Sequence, residues 1–84
     1  MTNTTHINSP VSVTAIGFGK GMRAYPRRIE IDGASYKFTD AGIRTVVNTG
    51  GRLAQVLNMS DGLRNFCLRS DLSGGSWMLL SISQ

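Results

Sequence analysis

The sequence contains few of the residues from which catalytic and metal sites are built. Its 84 residues include one cysteine (Cys67), one histidine (His6) and one glutamate (Glu30). A single cysteine cannot form an internal disulfide, and the few Cys, His and acidic residues do not have the spacing of a zinc site. A histidine close to the N-terminus has no positioned partner for acid–base work, and one glutamate cannot form a glutamate pair. We therefore predict a protein that is not an enzyme and has no catalytic residues, metal or cofactor.

Long apolar segments are also absent. No apolar run approaches the roughly 18 residues that a membrane-spanning helix needs. The start of the chain, MTNTTHINSP, has neither the basic region nor the apolar stretch of a secretory signal. These absences predict a cytoplasmic protein with no membrane partner. Residues 1–9 are polar and are predicted to be a flexible tail, whereas residues 10–84 are predicted to form a single β domain.

The apolar residues that are present follow the pattern of β-strands. Val11, Val13 and Ala15 alternate with polar residues, as in a strand with one buried face. Segments 40–50 and 52–59 also fit short helices, but β-branched residues in the first and an Asp-Gly pair after the second favour strands. Turn signals recur at short intervals along the chain. The expected fold is all-β, a small barrel, roll or sandwich of about six to seven short antiparallel strands.

Two Asp-Gly pairs predict tight hairpins. A two-residue turn at Asp32-Gly33 places Ile29 opposite Tyr36 and Arg28 opposite Lys37, with the apolar residues on one face and the polar ones on the other. The same kind of turn at Asp61-Gly62 would place Leu57 opposite Phe66 and Met59 opposite Arg64. A glycine-serine loop, DLSGGS, precedes the last predicted strand.

The charge of the chain is basic and concentrated in one segment. Nine Lys and Arg residues face five Asp and Glu residues, which gives a net charge of +4. The window KGMRAYPRR, residues 20–28, contains no acid and has a tyrosine among its cations. Cations that follow phosphates and a ring that stacks on a base are what a single-stranded nucleic-acid surface uses. The predicted contacts to a nucleic-acid backbone are Lys20, Arg23, Tyr25, Arg27, Arg28 and Lys37.

Two other interpretations are open at this point. The basic residues also fit a mobile loop and a solvated strand face on which Glu30 lies between Arg28 and Lys37. The last strand, WMLLSISQ, is apolar on both faces, with Trp77 and Leu79 on one and Met78, Leu80 and Ile82 on the other. Such a strand is central in its sheet or lies against another chain. The alternative function is therefore a protein-interaction or homo-oligomer-forming module, with Trp77 and Leu79 at the interface.

Overall fold

Seven strands make up most of the computed structural model, which describes residues 3–72 and 75–84. The strands are β1 (Thr4–Phe18), β2 (Ala24–Ile31), β3 (Ala34–Lys37), β4 (Ile43–Thr49), β5 (Arg52–Ser60), β6 (Asn65–Asp71) and β7 (Trp77–Ser83). A short 3₁₀ turn over Lys20–Met22 joins β1 to β2. The predicted all-β class and strand number are confirmed. No helix in the described part of the chain is long and apolar enough to cross a membrane.

All seven strands belong to one antiparallel sheet in the order β3-β2-β1-β7-β6-β5-β4. The first and last strands of the chain therefore pair in the middle of the sheet, and β3 and β4 form its edges. The described residues fill an envelope of 33 × 27 × 25 Å. Because a flat sheet with its side chains is only about 10 Å thick, this sheet must be strongly curled. Its core side is called the concave side below, and the opposite side the convex side.

The curled sheet brings distant strands together without closing its ladder. The backbone nitrogen of Thr39, after β3, donates a 2.9 Å hydrogen bond to the carbonyl oxygen of Ser60 on β5. On β4, an Arg44 nitrogen donates to the carbonyl oxygen of Ala24 on β2 at 3.2 Å. Among the described residues no ladder joins β3 to β4. The finer choice among barrel, roll and sandwich remains a prediction.

The core fills one end of the concave side. Leu57, Leu68 and Leu79 lie opposite one another on β5, β6 and β7 and are almost fully buried. Beside them Phe66 packs against Phe38 at a ring-centroid distance of 5.1 Å. Tyr36 packs against the same phenylalanine, also at 5.1 Å. These large side chains fill this end of the concave side.

β1 begins earlier than the sequence predicts. Residues 4–9, expected in a flexible tail, pair with β7, with Thr4 opposite Ser83 and Ser9 opposite Leu79. Ile7 packs against the core, and this contact anchors an otherwise polar segment. A register shift between His6 and Ser9 marks a bulge in this pairing. Residues 1 and 2 of the predicted tail lie outside the described residues, as do residues 73 and 74 of the DLSGGS loop.

The side chains of β7 are not divided between its faces as predicted. Cys67 lies opposite Ser81 but Leu68 lies opposite Leu79, so Leu80 is the extra residue of a β-bulge. The bulge reverses the alternation, and Ile82 therefore joins Trp77 and Leu79 against the core. A strict period of two placed Ile82 on the wrong face.

The first Asp-Gly hairpin has the predicted register, with Ile29 opposite Tyr36 and Arg28 opposite Lys37. The second does not. Met59 lies opposite Phe66, so the loop contains four residues, Asp61–Arg64, instead of two. The shift is two residues, and the predicted faces are therefore retained.

The side chain of Asp61 explains the wider loop. Its Oδ1 accepts hydrogen bonds from the backbone nitrogens of Leu63 (2.9 Å) and Arg64 (2.7 Å), and its Oδ2 lies 2.9 Å from Nη2 of Arg64. Burial alone would raise the pKa of Asp61, but the backbone hydrogen bonds and the guanidinium outweigh it and leave the pKa below its usual value. The carboxylate therefore replaces the backbone partners that a two-residue turn would supply.

We expect Asp61→Ala to lower the free energy of unfolding by about 1 kcal/mol, as the loss of a side-chain cap does. Asp61→Asn should lose less, because an amide oxygen can still accept the two backbone hydrogen bonds. Since the folded-state pKa is lowered, the carboxylate stabilises the fold above the unfolded-state value of about 3.9. This contribution is lost as the pH falls through the folded-state pKa.

Urea unfolding of the wild type and Asp61→Asn at neutral and acid pH tests this account. The stability difference between the two proteins should shrink in acid. A difference that stays constant with pH would contradict the role given to the charge.

Candidate functional site

The open end of the concave side is lined by one row of neighbours that crosses five strands. Val46 on β4 lies opposite Gln55 on β5, and Gln55 lies opposite Ser70 on β6. Ser70 in turn lies opposite Trp77 on β7, which lies opposite Val11 on β1. We call these five residues the Gln55 row. On β5, β6 and β7 each residue of the row lies two positions from one of the buried leucines. The row therefore forms the boundary between the core and the open end.

A cavity of about 880 Å³ lies over this row. Four residues of the row line it, and Val13 and Pro26 add apolar walls from β1 and β2. Ligand sites in proteins are typically concave, mostly apolar and of roughly 300–1,000 Å³, with a few polar groups that orient the ligand. The cavity has this size and composition.

Two arginines line the cavity, and no acid does so among its described lining residues. Arg23 follows the 3₁₀ turn and is exposed, whereas Arg44 projects from edge strand β4 and is half-buried. Arg44 is oriented by its hydrogen bond to the carbonyl oxygen of Ala24, another lining residue. The cavity therefore carries positive charge, and no carboxylate belongs to its described lining.

The ring of Tyr25, which lines the cavity, packs against the backbone of Gly17. Tyr25 on β2 lies opposite Gly17 on β1. A Cβ added to Gly17 would lie 2.5–2.9 Å from three atoms of the Tyr25 side chain, closer than van der Waals contact allows. The ring therefore rests directly on the Gly17 backbone. This packing explains why a glycine occupies position 17 inside β1.

The floor of the cavity holds a polar group without a partner. Gln55 is 4% exposed, and its Oε1 has no hydrogen-bond partner among the described residues. Its Nε2 donates to Ser70 Oγ at 3.0 Å and to the carbonyl oxygen of Asp71 at 3.3 Å. Ser70 Oγ itself donates to the same carbonyl at 2.7 Å. Hydrogen bonds thus hold one end of the Gln55 amide and leave the other free.

The structure separates the predicted nucleic-acid contacts into two groups. Arg23 and Tyr25 line the cavity, and Lys20 lies in the neighbouring 3₁₀ turn. Arg28 and Lys37 lie opposite each other on β2 and β3, at positions next to core-facing Ile29 and Tyr36, and therefore on the convex side. Arg28 is held there by a 2.9 Å hydrogen bond to Thr14.

Arg27 belongs to neither group. Ile16 lies opposite Pro26 and Ala15 lies opposite Arg28, so Arg27 is the extra residue of a bulge in β2. Its side chain is exposed. Proline has no backbone N–H, and a bulge tolerates its presence inside a strand.

The two predicted interface residues also lie in different places. Trp77 is half-buried and lines the cavity, whereas Leu79 is fully buried among the core leucines. The side chain of Leu79 does not reach the surface in this chain.

Sequence reasoning missed Arg44 and Gln55. A signal for Gln55 was present, because strict alternation in β5 places it on the same face as Leu57 and Met59, where a polar residue is unexpected. Arg44 alternates in the same way with Val46. Its position at the cavity depends on the curl of the sheet, which brings β4 near β2, and no local pattern reveals that approach.

No alternative reactive centre stands out in the described part of the chain. Burial raises the pKa of the Cys67 thiol, which disfavours the reactive thiolate. Among the same residues, no group of three or more His, Cys, Asp and Glu side chains could hold a metal ion.

The chain was also compared with known proteins. Comparison with protein-family models, curated proteins and solved structures gives no significant match, so the arrangement of the cavity is the basis for assigning a function.

Proposed function

We propose that this protein is a non-enzymatic binding module that holds single-stranded nucleic acid at the cavity. Arg23 and Arg44 bind phosphates, and Lys20 adds charge from the adjoining turn. Tyr25 and Trp77 provide faces on which bases stack. The location we propose is the cytoplasm.

The observation that carries this proposal is the combination of cations and rings in one concave site. Both arginines and both rings line the same cavity, and its described lining includes no acid. Guanidinium groups bind phosphate through paired hydrogen bonds, and aromatic faces stack on any base. A duplex hides its base faces, so these groups together favour a single strand.

The test is fluorescence anisotropy with a labelled oligonucleotide of about ten nucleotides, a length within the site sizes of small β domains. Neutralising two to three phosphates gives a slope of about −1.4 to −2.1 in a plot of log affinity against log salt. The affinity should therefore fall about 7- to 20-fold between about 50 and 200 mM salt.

A duplex of the same sequence is the control, and it should bind more weakly than the single strand. Absence of binding at the lower salt concentration would refute the proposal. Equal affinity for single strand and duplex would refute the role of the rings.

The second candidate function is self-association through edge strand β4. Among the described residues this strand pairs with β5 and no other strand, and its Ile43 is 70% exposed. An unpaired edge with apolar side chains is a template for pairing with another chain. Sedimentation equilibrium would show a dimer that Ile43→Lys disrupts. A wild-type monomer at all concentrations would exclude this candidate.

A further inference from the structure

Gln55 is anomalous for a buried side chain. It is 4% exposed, yet its Oε1 has no partner among the described residues. About nine in ten buried polar groups are hydrogen-bonded, because an unpaired one loses its water without compensation. Its place at the wall of an 880 Å³ cavity indicates that the missing partner comes from a ligand.

The neighbouring hydrogen bonds determine which end of the Gln55 amide is free. The carbonyl oxygen of Asp71 can only accept, so the amide atom 3.3 Å from it must be the nitrogen. Ser70 Oγ gives its hydrogen to the same carbonyl and therefore accepts from Gln55. The oxygen is left without a partner among the described residues, and it can only accept a hydrogen bond. The ligand must therefore supply a donor.

The other lining residues indicate the chemistry of the ligand that carries this donor. Val11 and Val13 make part of the wall apolar, and Trp77 adds an aromatic surface that suits a flat ring. Arg23 and Arg44 add positive charge, which suits an anionic group. A nucleotide combines these features, because it joins a planar heterocycle with an N–H donor to a phosphate.

We infer that the cavity is a base pocket, in which the base of one unpaired nucleotide donates an N–H hydrogen bond to Gln55 Oε1. The base lies against Trp77, and its phosphate lies toward Arg23 and Arg44. This inference rests on the proposed function and adds that the base enters the concave side instead of stacking only at its rim.

Uridine 5′-monophosphate is the sharpest probe, because its base has a single N–H donor, at N3. Its N3-methyl derivative keeps the ring, charge and sugar but has lost that donor. Fluorescence of Trp77, the single tryptophan, reports on binding to the whole protein. We expect saturable binding of uridine 5′-monophosphate and an affinity for the N3-methyl derivative that is about tenfold lower. No binding of the unmodified nucleotide, or equal binding of both, would overturn the inference.

Gln55→Met is the matched protein variant, because methionine is similarly long but cannot accept this hydrogen bond. Ser70 remains bonded to the Asp71 carbonyl, so the substitution leaves no buried donor unpaired. We expect about tenfold weaker binding of uridine 5′-monophosphate and a melting temperature that is unchanged or higher. A purely structural role for Gln55 would give the reverse, with a lower melting temperature and unchanged binding.

The oligonucleotide titration separates the two proposals. Suppose that the protein binds the oligonucleotide in a salt-dependent way but that Gln55→Met does not weaken the binding of uridine 5′-monophosphate. This result would overturn the base pocket and leave the proposed function standing. Nucleotide binding that depends on Gln55, without oligonucleotide binding, would support the pocket and refute the proposed function.

Discussion

Phe66→Ala is expected to lower the free energy of unfolding by about 3–5 kcal/mol, the usual effect of truncating a buried phenylalanine. Phe66 is 1% exposed, and its ring meets both Tyr36 and Phe38 at centroid distances of 5.1 Å. It therefore joins β6 to the end of β3, which lies at the far edge of the sheet. A domain of this size has a total stability of roughly 4–13 kcal/mol, so the variant should lose a large fraction of its stability and unfold at a much lower urea concentration than the wild type.

Leu63→Ala is the control for this substitution. Leu63 lies in the Asp61–Arg64 loop and is 86% exposed, so its truncation should change the stability by less than about 0.5 kcal/mol. Urea unfolding followed by circular dichroism measures both variants. Similar losses in the two would show that Phe66 does not hold the curled sheet together.

The second large effect is expected from the paired substitution Arg23→Gln/Arg44→Gln. It removes both cavity arginines and should weaken oligonucleotide binding about 10- to 100-fold at low salt. The magnitude of the salt slope should also fall by about 1.4, because two phosphate contacts are lost.

The pair Arg28→Gln/Lys37→Gln is a matched control. Each double substitution removes two positive charges and lowers the net charge from +4 to +2. Each also removes one arginine hydrogen bond, from Arg44 to Ala24 or from Arg28 to Thr14. Because Arg28 and Lys37 lie on the convex side, this pair should change the affinity less than threefold, by long-range charge alone. Equal effects of the two pairs would mean that net charge, and not the cavity, governs binding.

Short sequence patterns predicted the first hairpin well because the residues of a tight turn and its flanking strands are neighbours in the sequence. The Asp32-Gly33 turn has positive φ at both residues, 49° and 79°, the geometry for which this pair is favoured. Alternation then determined the register and faces of the hairpin. The same reasoning failed at Asp61, because its carboxylate accepts two backbone hydrogen bonds and so stabilises a longer loop. A dipeptide pattern does not distinguish these two uses of an aspartate.

The bulges and the site depend on contacts that are distant in sequence. The bulge at Leu80 arises where β7 must pair with two neighbours at once, and no feature of WMLLSISQ marks it. The charged window identified Arg23 and Tyr25 but did not separate them from Arg28, which lies next to core-facing Ile29 and therefore on the convex side. Arg44 reaches the cavity through the curl of the sheet.

The central claim is that ligand binding occurs at the open end of the concave side. Two-dimensional ¹⁵N NMR of the labelled protein, titrated with a single-stranded oligonucleotide, tests it most directly. The account predicts that signals of Arg23, Tyr25, the Gln55 side-chain amide and the Trp77 indole shift together as the oligonucleotide is added. Shifts confined to the convex residues around Arg28 and Lys37, or no shifts at all, would contradict it.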